Sequence, residues 1–215
     1  MKKGIPLFVL LHLTVQLSAQ THWSLDYSIT LPYNVPVSFT IQQQGAPDIS
    51  FTPRFRSEPL VVPVTWVWKL SYWSDSAAWS LMSIHHKLYL NNRPPEVEEF
   101  AITHGYNIIS IVRSWQMEHF MVGVGAGIVL AHPEVSVRGK RLPENRGIFN
   151  SGYYIAGPVF NFSVGKRLYL VGGLYVLGEA MVHASYASVP IVDGEARLFN
   201  IVGHASLGLG FALEL

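Results

Sequence analysis

Six side chains suited to proton transfer or metal binding recur where strands of this chain would end: His85, Lys87, His104, His132, Glu179 and His183. Imidazole changes charge near neutral pH, and a neighbouring carboxylate can orient it, so gathering these groups would make an acid–base or metal site. The four-residue spacing of Glu179 and His183 puts both on one face of a strand, which cooperation would require. Asn107, in the run Thr103-His104-Gly105-Tyr106-Asn107, could add a polar contact for a substrate. Each signal is weak alone, and the bland duty of such residues is a salt-bridged polar core. His22, His86 and His119 read more readily as surface or interface residues.

The elements that would hold these groups follow from patterning. Met1-Lys2-Lys3, an apolar stretch from Ile5 to Val15 and Ser18-Ala19 predict a secretory signal peptide over 1–19, leaving 215 − 19 = 196 residues for one barrel domain, 20–215. The apolar stretch is too short to cross a bilayer as a helix. Cysteine is absent, so disulfides do not stabilise the exported chain. Hydrophobic residues make up 49% and charged residues 13%, yet no later run approaches 18 apolar residues. Transmembrane helices are thereby disfavoured, and the apolar surface must be spread over strands. A net charge of +1, with no basic run interleaved with aromatics, argues against nucleic acid as a partner.

From Trp23 to Leu31 the odd positions are apolar and Ser24, Asp26, Ser28 and Thr30 are polar, a period of two. Phe199, Ile201 and Leu207 to Leu215 repeat it. Strands are expected near 22–31, 60–73, 78–90, 103–115, 118–131, 152–165, 168–184 and 197–215, each long enough for the ~9–11 residues that cross a bilayer tilted. Tight turns at 74–77, 116–117 and 166–167 alternate with long connections at 32–59, 91–102, 132–151 and 185–196. That order predicts an all-β fold, an eight-stranded antiparallel transmembrane β-barrel of the bacterial outer membrane, with both chain ends periplasmic. Trp66, Trp68, Tyr72, Trp73, Trp79 and Trp115 fall near expected strand ends, where aromatic rings favour the membrane interface.

Eight strands enclose an interior filled by side chains, so no open pore is expected. With the apolar parity facing lipid, the inward set is Asp26, Lys69, Ser71, Ser83, His85, Lys87, Asn161, Ser163, Glu179, His183, Asn200 and His204. His85, Lys87, His104, His132, Glu179 and His183 are expected near the extracellular mouth, with Gly123, Gly125 and Gly127 leaving room beside them. The facing of 103–115 stays open, because Asn107 and Arg113 share a parity with Ile109 and Ile111.

Taken in order, several motifs resemble the bacterial outer-membrane lipid A oxidases and related small barrels over residues 60 to 215. They are Ser83-Ile84-His85-His86-Lys87-Leu88-Tyr89, Phe100 to Ser110, Gly123 to Gly127, Ala131-His132-Pro133, Gly152 to Pro158 and Gly178-Glu179. The resemblance implies oxygen-dependent oxidation of the proximal glucosamine of lipid A, with dioxygen as co-substrate and any other cofactor open. On that reading the catalytic positions are His85, Lys87, His132 and Glu179. His85 or His132 would be proton acceptor or metal ligand, Glu179 its orienting partner and Lys87 a phosphate contact. Asn107, His104 and His183 would bind substrate. His104 and His183 depart from the family pattern, and 32–59 matches nothing in it. The final octet resembles the signal read by the barrel-assembly machinery, although its last residue is not aromatic. The expected partners are therefore that machinery, outer-membrane lipid and lipid A, and the chain is expected to act as a monomer.

Two other functions compete. A structural or adhesive barrel would close the polar cluster with salt bridges and bind through its loops. A lipid A deacylase is suggested by His183-Ala184-Ser185 and His204-Ala205-Ser206, and would need them on the lipid-facing wall.

Overall fold

The computed structural model describes residues 21–214; the expected signal peptide lies outside them. Among the described residues fourteen strands form: β1 (Thr21–Gln43), β2 (Ile49–Phe51), β3 (Phe55–Arg56), β4 (Trp66–Ser74), β5 (Ala77–His85), β6 (Leu88–Leu90), β7 (Val97–Ile102), β8 (Tyr106–Gln116), β9 (Met121–Ala131), β10 (Glu134–Val137), β11 (Lys140–Arg141), β12 (Tyr154–Val171), β13 (Leu174–Ile191) and β14 (Gly194–Glu214). Eight of them, β1, β4, β5, β8, β9, β12, β13 and β14, pair antiparallel in that order, and β14 returns to β1 to close the ring. Closure leaves the ring no edge, and its backbone groups are satisfied strand to strand, as a bilayer requires. This is the expected eight-stranded barrel.

Alternation fixes what faces lipid. Leu25, Tyr27, Ile29 and Leu31 are exposed while Ser24, Asp26, Ser28 and Thr30 are buried; β14 repeats this with Leu207, Leu209, Phe211 and Leu213 outward. Trp79 and Trp115 stand at the periplasmic end with the Arg113 guanidinium 5.1 and 5.9 Å from their rings, an interfacial arrangement. Trp73 departs from the expected girdle. It points inward, donates to Ser24 Oγ and lies under the Arg167 guanidinium.

The interior is layered. Trp73, Ala78, Met121, Tyr175 and Leu177 form an apolar floor. Above it Arg167 bonds Asp26, and the Lys69 ammonium donates to both oxygens of Glu179 at 2.8 and 3.0 Å. Asn161 donates to Ser110 Oγ close by. Met82 and Val112 beside this layer, and Met181 and Ile84 above it, join a large apolar core that continues above the barrel.

That upper core corrects the expected loops. β1 runs on to Gln43 past a bulge between Val35 and Ser38, at Pro36, where a missing N–H interrupts the ladder. β13 and β14 continue together to a two-residue turn at Val192-Asp193, so 185–196 is a hairpin tip rather than a long loop, and the short–long alternation fails there. A five-stranded sheet, β11-β10-β7-β6-β3, packs on this extension through Phe39, Phe51, Phe55 and Phe100. At the other end, Lys166 and Arg167 lie within β12; the turn is at Gly172-Gly173, and Gly172 has a positive φ of 56°. The Arg167 charge is carried inward to Asp26, and a two-residue glycine turn closes the hairpin.

Candidate functional site on the outer wall

The outward row of β5 is Trp79, Leu81, Ser83 and His85, because Ala78, Ser80, Met82 and Ile84 fill the inward row. Ser83 and His85 therefore do not line the interior, contrary to expectation. The rule that the apolar parity faces lipid fails on β5, where the upper interior is itself apolar. On β8 the facing left open by sequence is settled: Tyr106, Ile108, Ser110, Val112 and Ser114 point inward, and Asn107 points out.

His85 ends a nine-residue strand that starts at the periplasmic turn, and Asn107 stands nine residues from the foot of β8. A tilted strand crosses the bilayer in ~9–11 residues, so both reach the outer-leaflet face. His85 is only 6% exposed. Its ring stacks on Trp66, the neighbour across the β4–β5 ladder, with centroids 5.6 Å apart. Its Nδ1 lies 2.9 Å from Asn107 Oδ1, so Nδ1–H donates and Nε2 keeps its lone pair. That Nε2 is buried and has no hydrogen-bond partner among the described residues.

Beside this pair, the segments after β7 and β9 supply the rest. The His104 ring, its side chain 64% exposed, bonds Glu134 Oε1 at 2.8 Å, and the Thr103 hydroxyl donates to the same oxygen. His132 packs between His104 and Tyr153, with centroids 4.8 and 4.9 Å away, and Gly152 closes over its Nε2, where a Cβ would collide. Burial, and then the His104 charge, push the His132 pKa below the ordinary imidazole value, while Glu134 and Glu144 pull it back up. Glu134 had no signal in the sequence; it becomes part of the site because β10 pairs with β7, setting it opposite Ala101, two residues before Thr103.

Of the expected site residues, His85, Asn107, His104 and His132 come together here. Lys87 lies next to them in sequence but is buried, its ammonium donating to the Val61 carbonyl, and burial lowers its pKa. It is not presented to a lipid phosphate. Glu179 is withdrawn into the barrel, only six residues above the periplasmic turn of β13, and is locked to Lys69 rather than raised to the mouth. His183 reaches the right height but inside the wall, its ring 5.0 Å from that of His204, which lies 5.3 Å from His86. Ser185 and Ser206 are inside too, so neither deacylase pair reaches the lipid-facing wall. The inward glycines serve another purpose: a Cβ at Gly123 would come 2.6 Å from Ser163 Oγ and one at Gly125 2.5 Å from Asn161 Oδ1, so they seat mid-barrel polar groups and leave no free room. Among the described residues, no group of three or more His, Cys, Asp or Glu is arranged to hold a metal ion.

Comparison with solved structures agrees with this architecture. Outer membrane protein AlkL, determined in DMPC bilayers, superposes with a TM-score of 0.52 at 13% identity, covering 100% of this chain and 98% of that one. The chain has the fold of a small outer-membrane β-barrel. Neisserial surface protein A (TM-score 0.39, 8% identity, 89% and 96% covered) and Ail of Yersinia pestis (0.38, 12%, 91% and 99%) are more distant matches. No protein-family model matches the sequence, and neither does any curated protein.

Proposed function

We propose that this outer-membrane barrel modifies lipid A, and that the work is done on the outer wall by His85, Asn107, His104, His132 and Glu134. One observation carries the reading: on the outward row of β5 the His85 imidazole is held by Asn107 through Nδ1, and its Nε2 is buried without a hydrogen-bond partner among the described residues. A base oriented by one hydrogen bond, its other nitrogen unpartnered, suits proton abstraction from a molecule that opens a way to that nitrogen on binding. In the oxidative chemistry implied by the sequence resemblance, His85 or His132 would serve as base and Glu134, rather than Glu179, as the nearby carboxylate. Lipid A mass spectra from cells with and without the gene, grown with and without oxygen, test this. A mass change that depends on the gene is expected; identical spectra in all four conditions would refute the reading.

A binding role has a separate observation in its favour. The exposed side of the five-stranded sheet holds a cavity of about 260 Å³ lined by Arg56, Arg93, Tyr89, Asn91, Glu99 and Glu134, suited to a polar, partly anionic ligand. An adhesive barrel would bind through this cavity and leave the lipid A mass unchanged.

A further inference from the structure

We propose that the cleft on the outer face of the five-stranded sheet binds an anionic sugar and seats the headgroup of the lipid on which the outer wall acts. The proposal rests on the lipid A reading above and names the residues that recognise the headgroup.

The register builds the cleft. Arg56 faces Tyr89 across β3–β6, Tyr89 faces Ala101 across β6–β7, and Ala101 faces Glu134 across β7–β10, so the four form one row across the sheet. Their chain neighbours Phe55, Leu90, Phe100 and Val135 pack in the apolar core, and alternation turns the row outward. Ala101 is the small member of that row. Its methyl group lies between the Tyr89 ring and the Glu134 carboxylate and floors the cavity of about 260 Å³, which has room for one sugar ring.

The lining mixes cations with acceptors. Arg56 pairs with Glu58 at 3.2 Å and lies 5.2 Å from the Tyr89 ring centroid. Arg93 donates to the Glu98 carbonyl and has no ion-pair partner among the described residues. The rest of its planar fork suits a phosphate or carboxylate. Glu134 Oε1 already accepts from Thr103 and His104, and Glu99 Oε2 from Arg141, so each carboxylate keeps a second oxygen for a hydroxyl. These carboxylates would repel a bare anion; with the guanidiniums they fit a molecule that carries hydroxyls and one negative group together.

Thr103 and Glu134 line the cleft and are also the partners of His104, so cleft and outer wall share a boundary. A glycolipid with its acyl chains against the outward rows of β5 and β8 has its sugar at this boundary. Lys87, the phosphate contact expected from sequence, is buried, and exposed Arg93 supplies a charge in its place.

The full-length protein, refolded into phosphatidylcholine nanodiscs, tests this by amide-shift titration with glucosamine 1-phosphate, glucuronic acid, glucosamine and inorganic phosphate. The two anionic sugars should bind saturably, with shifts centred on 89–103 and 134, and the other two should bind at least about tenfold more weakly. Arg93→Gln should weaken the anionic sugars by about tenfold and leave glucosamine unchanged. Ala101→Leu, which fills the floor, should abolish binding of all of them in a barrel that heat-dependent gel mobility reports as folded. Lipid A in the nanodisc should displace glucosamine 1-phosphate, and phosphatidylglycerol at equal charge should not, which separates a lipid headgroup from a free sugar as the source. Inorganic phosphate binding as tightly as its sugar ester, shifts elsewhere, unchanged binding in Ala101→Leu, or failure of lipid A to displace the sugar overturns the proposal. Displacement by lipid A whose mass the gene does not alter would uphold the cleft and refute modification, whereas a gene-dependent mass change that persists undiminished in Ala101→Leu would do the reverse.

Discussion

Taking the Lys69 ammonium and the Glu179 carboxylate out of water costs several kcal/mol each, which their contact recovers only while both are present. Lys69→Met alone is therefore expected to destabilise the barrel by about 3–5 kcal/mol, and Lys69→Met with Glu179→Leu to recover most of it. Urea midpoints in detergent measure this. Because Glu179 lies in the barrel interior away from the outer-wall histidines, any lipid modification should survive in the double variant once it is folded. His132 provides a second residue-scale outcome. Its pKa is lowered in the folded protein, so folding favours the neutral ring; the stabilisation is complete above the ordinary value of 6.5 and declines as pH falls through that value toward the folded one. His104 opposes the added proton, and Glu134 and Glu144 favour it. Acidification below about pH 6.5 should loosen the segment that closes over His132 at Gly152 and Tyr153, read as faster amide exchange over 147–153; equal exchange at pH 5 and pH 7.5 would contradict it. Sequence identified both residues as candidates. It could not separate them, because a salt-bridged charge and an oriented base are the same letters until a register supplies the partner.

At the scale of strands, facing was legible wherever the two rows differ in polarity. β1 and β14 alternate cleanly, and the assignment of Asp26, Asn200 and His204 to the interior follows. β5 defeats the rule, since Met82 and Ile84 inside are as apolar as Trp79 and Leu81 outside, and one misread strand moved Ser83 and His85 to the wrong side of the wall. The glycines of β9 show the same point from the other direction. Their inward parity was readable, but what they accommodate was not, because Ser110, Asn161 and Ser163 come from β8 and β12. A Cβ at Gly127 would meet the Ile109 carbonyl and come 2.6 Å from Ser110 Cα, so the backbone of β8 itself must give. Gly127→Ala should accordingly destabilise by more than Gly178→Ala, where a Cβ meets nothing within 4 Å. Comparing the two in one urea series tests whether close strand approach, rather than loss of glycine as such, sets the cost.

For the molecule as a whole, the number of strands and the closed ring were readable from alternation and turn spacing, since a bilayer admits few other solutions for a chain with scattered apolar residues. The extracellular layer was not. Its strands β2, β3, β6, β7, β10 and β11 have two to six residues each, too short for a period to declare itself, and their core brings Phe100 from a distant segment onto Phe39, Phe51 and Phe55. This layer has its own consequence. Phe100 is buried at a centroid distance of 4.7 Å from Phe39, in an edge-to-face arrangement that joins the second sheet to the tall extension of β1. Phe100→Ala should remove about 3–5 kcal/mol of packing from that layer. The hydrogen-bonded ring beneath it is closed without Phe100, so amide exchange should accelerate over 88–102 and 134–137 while the transmembrane parts of β12, β13 and β14 stay protected. Glu134 is held by pairing with β7, so the same loosening would displace it from His104 and lower any activity of the outer wall. If exchange instead rose equally through the barrel strands, the two layers would be a single cooperative unit, and the outer-wall site could not be uncoupled from the fold that carries it.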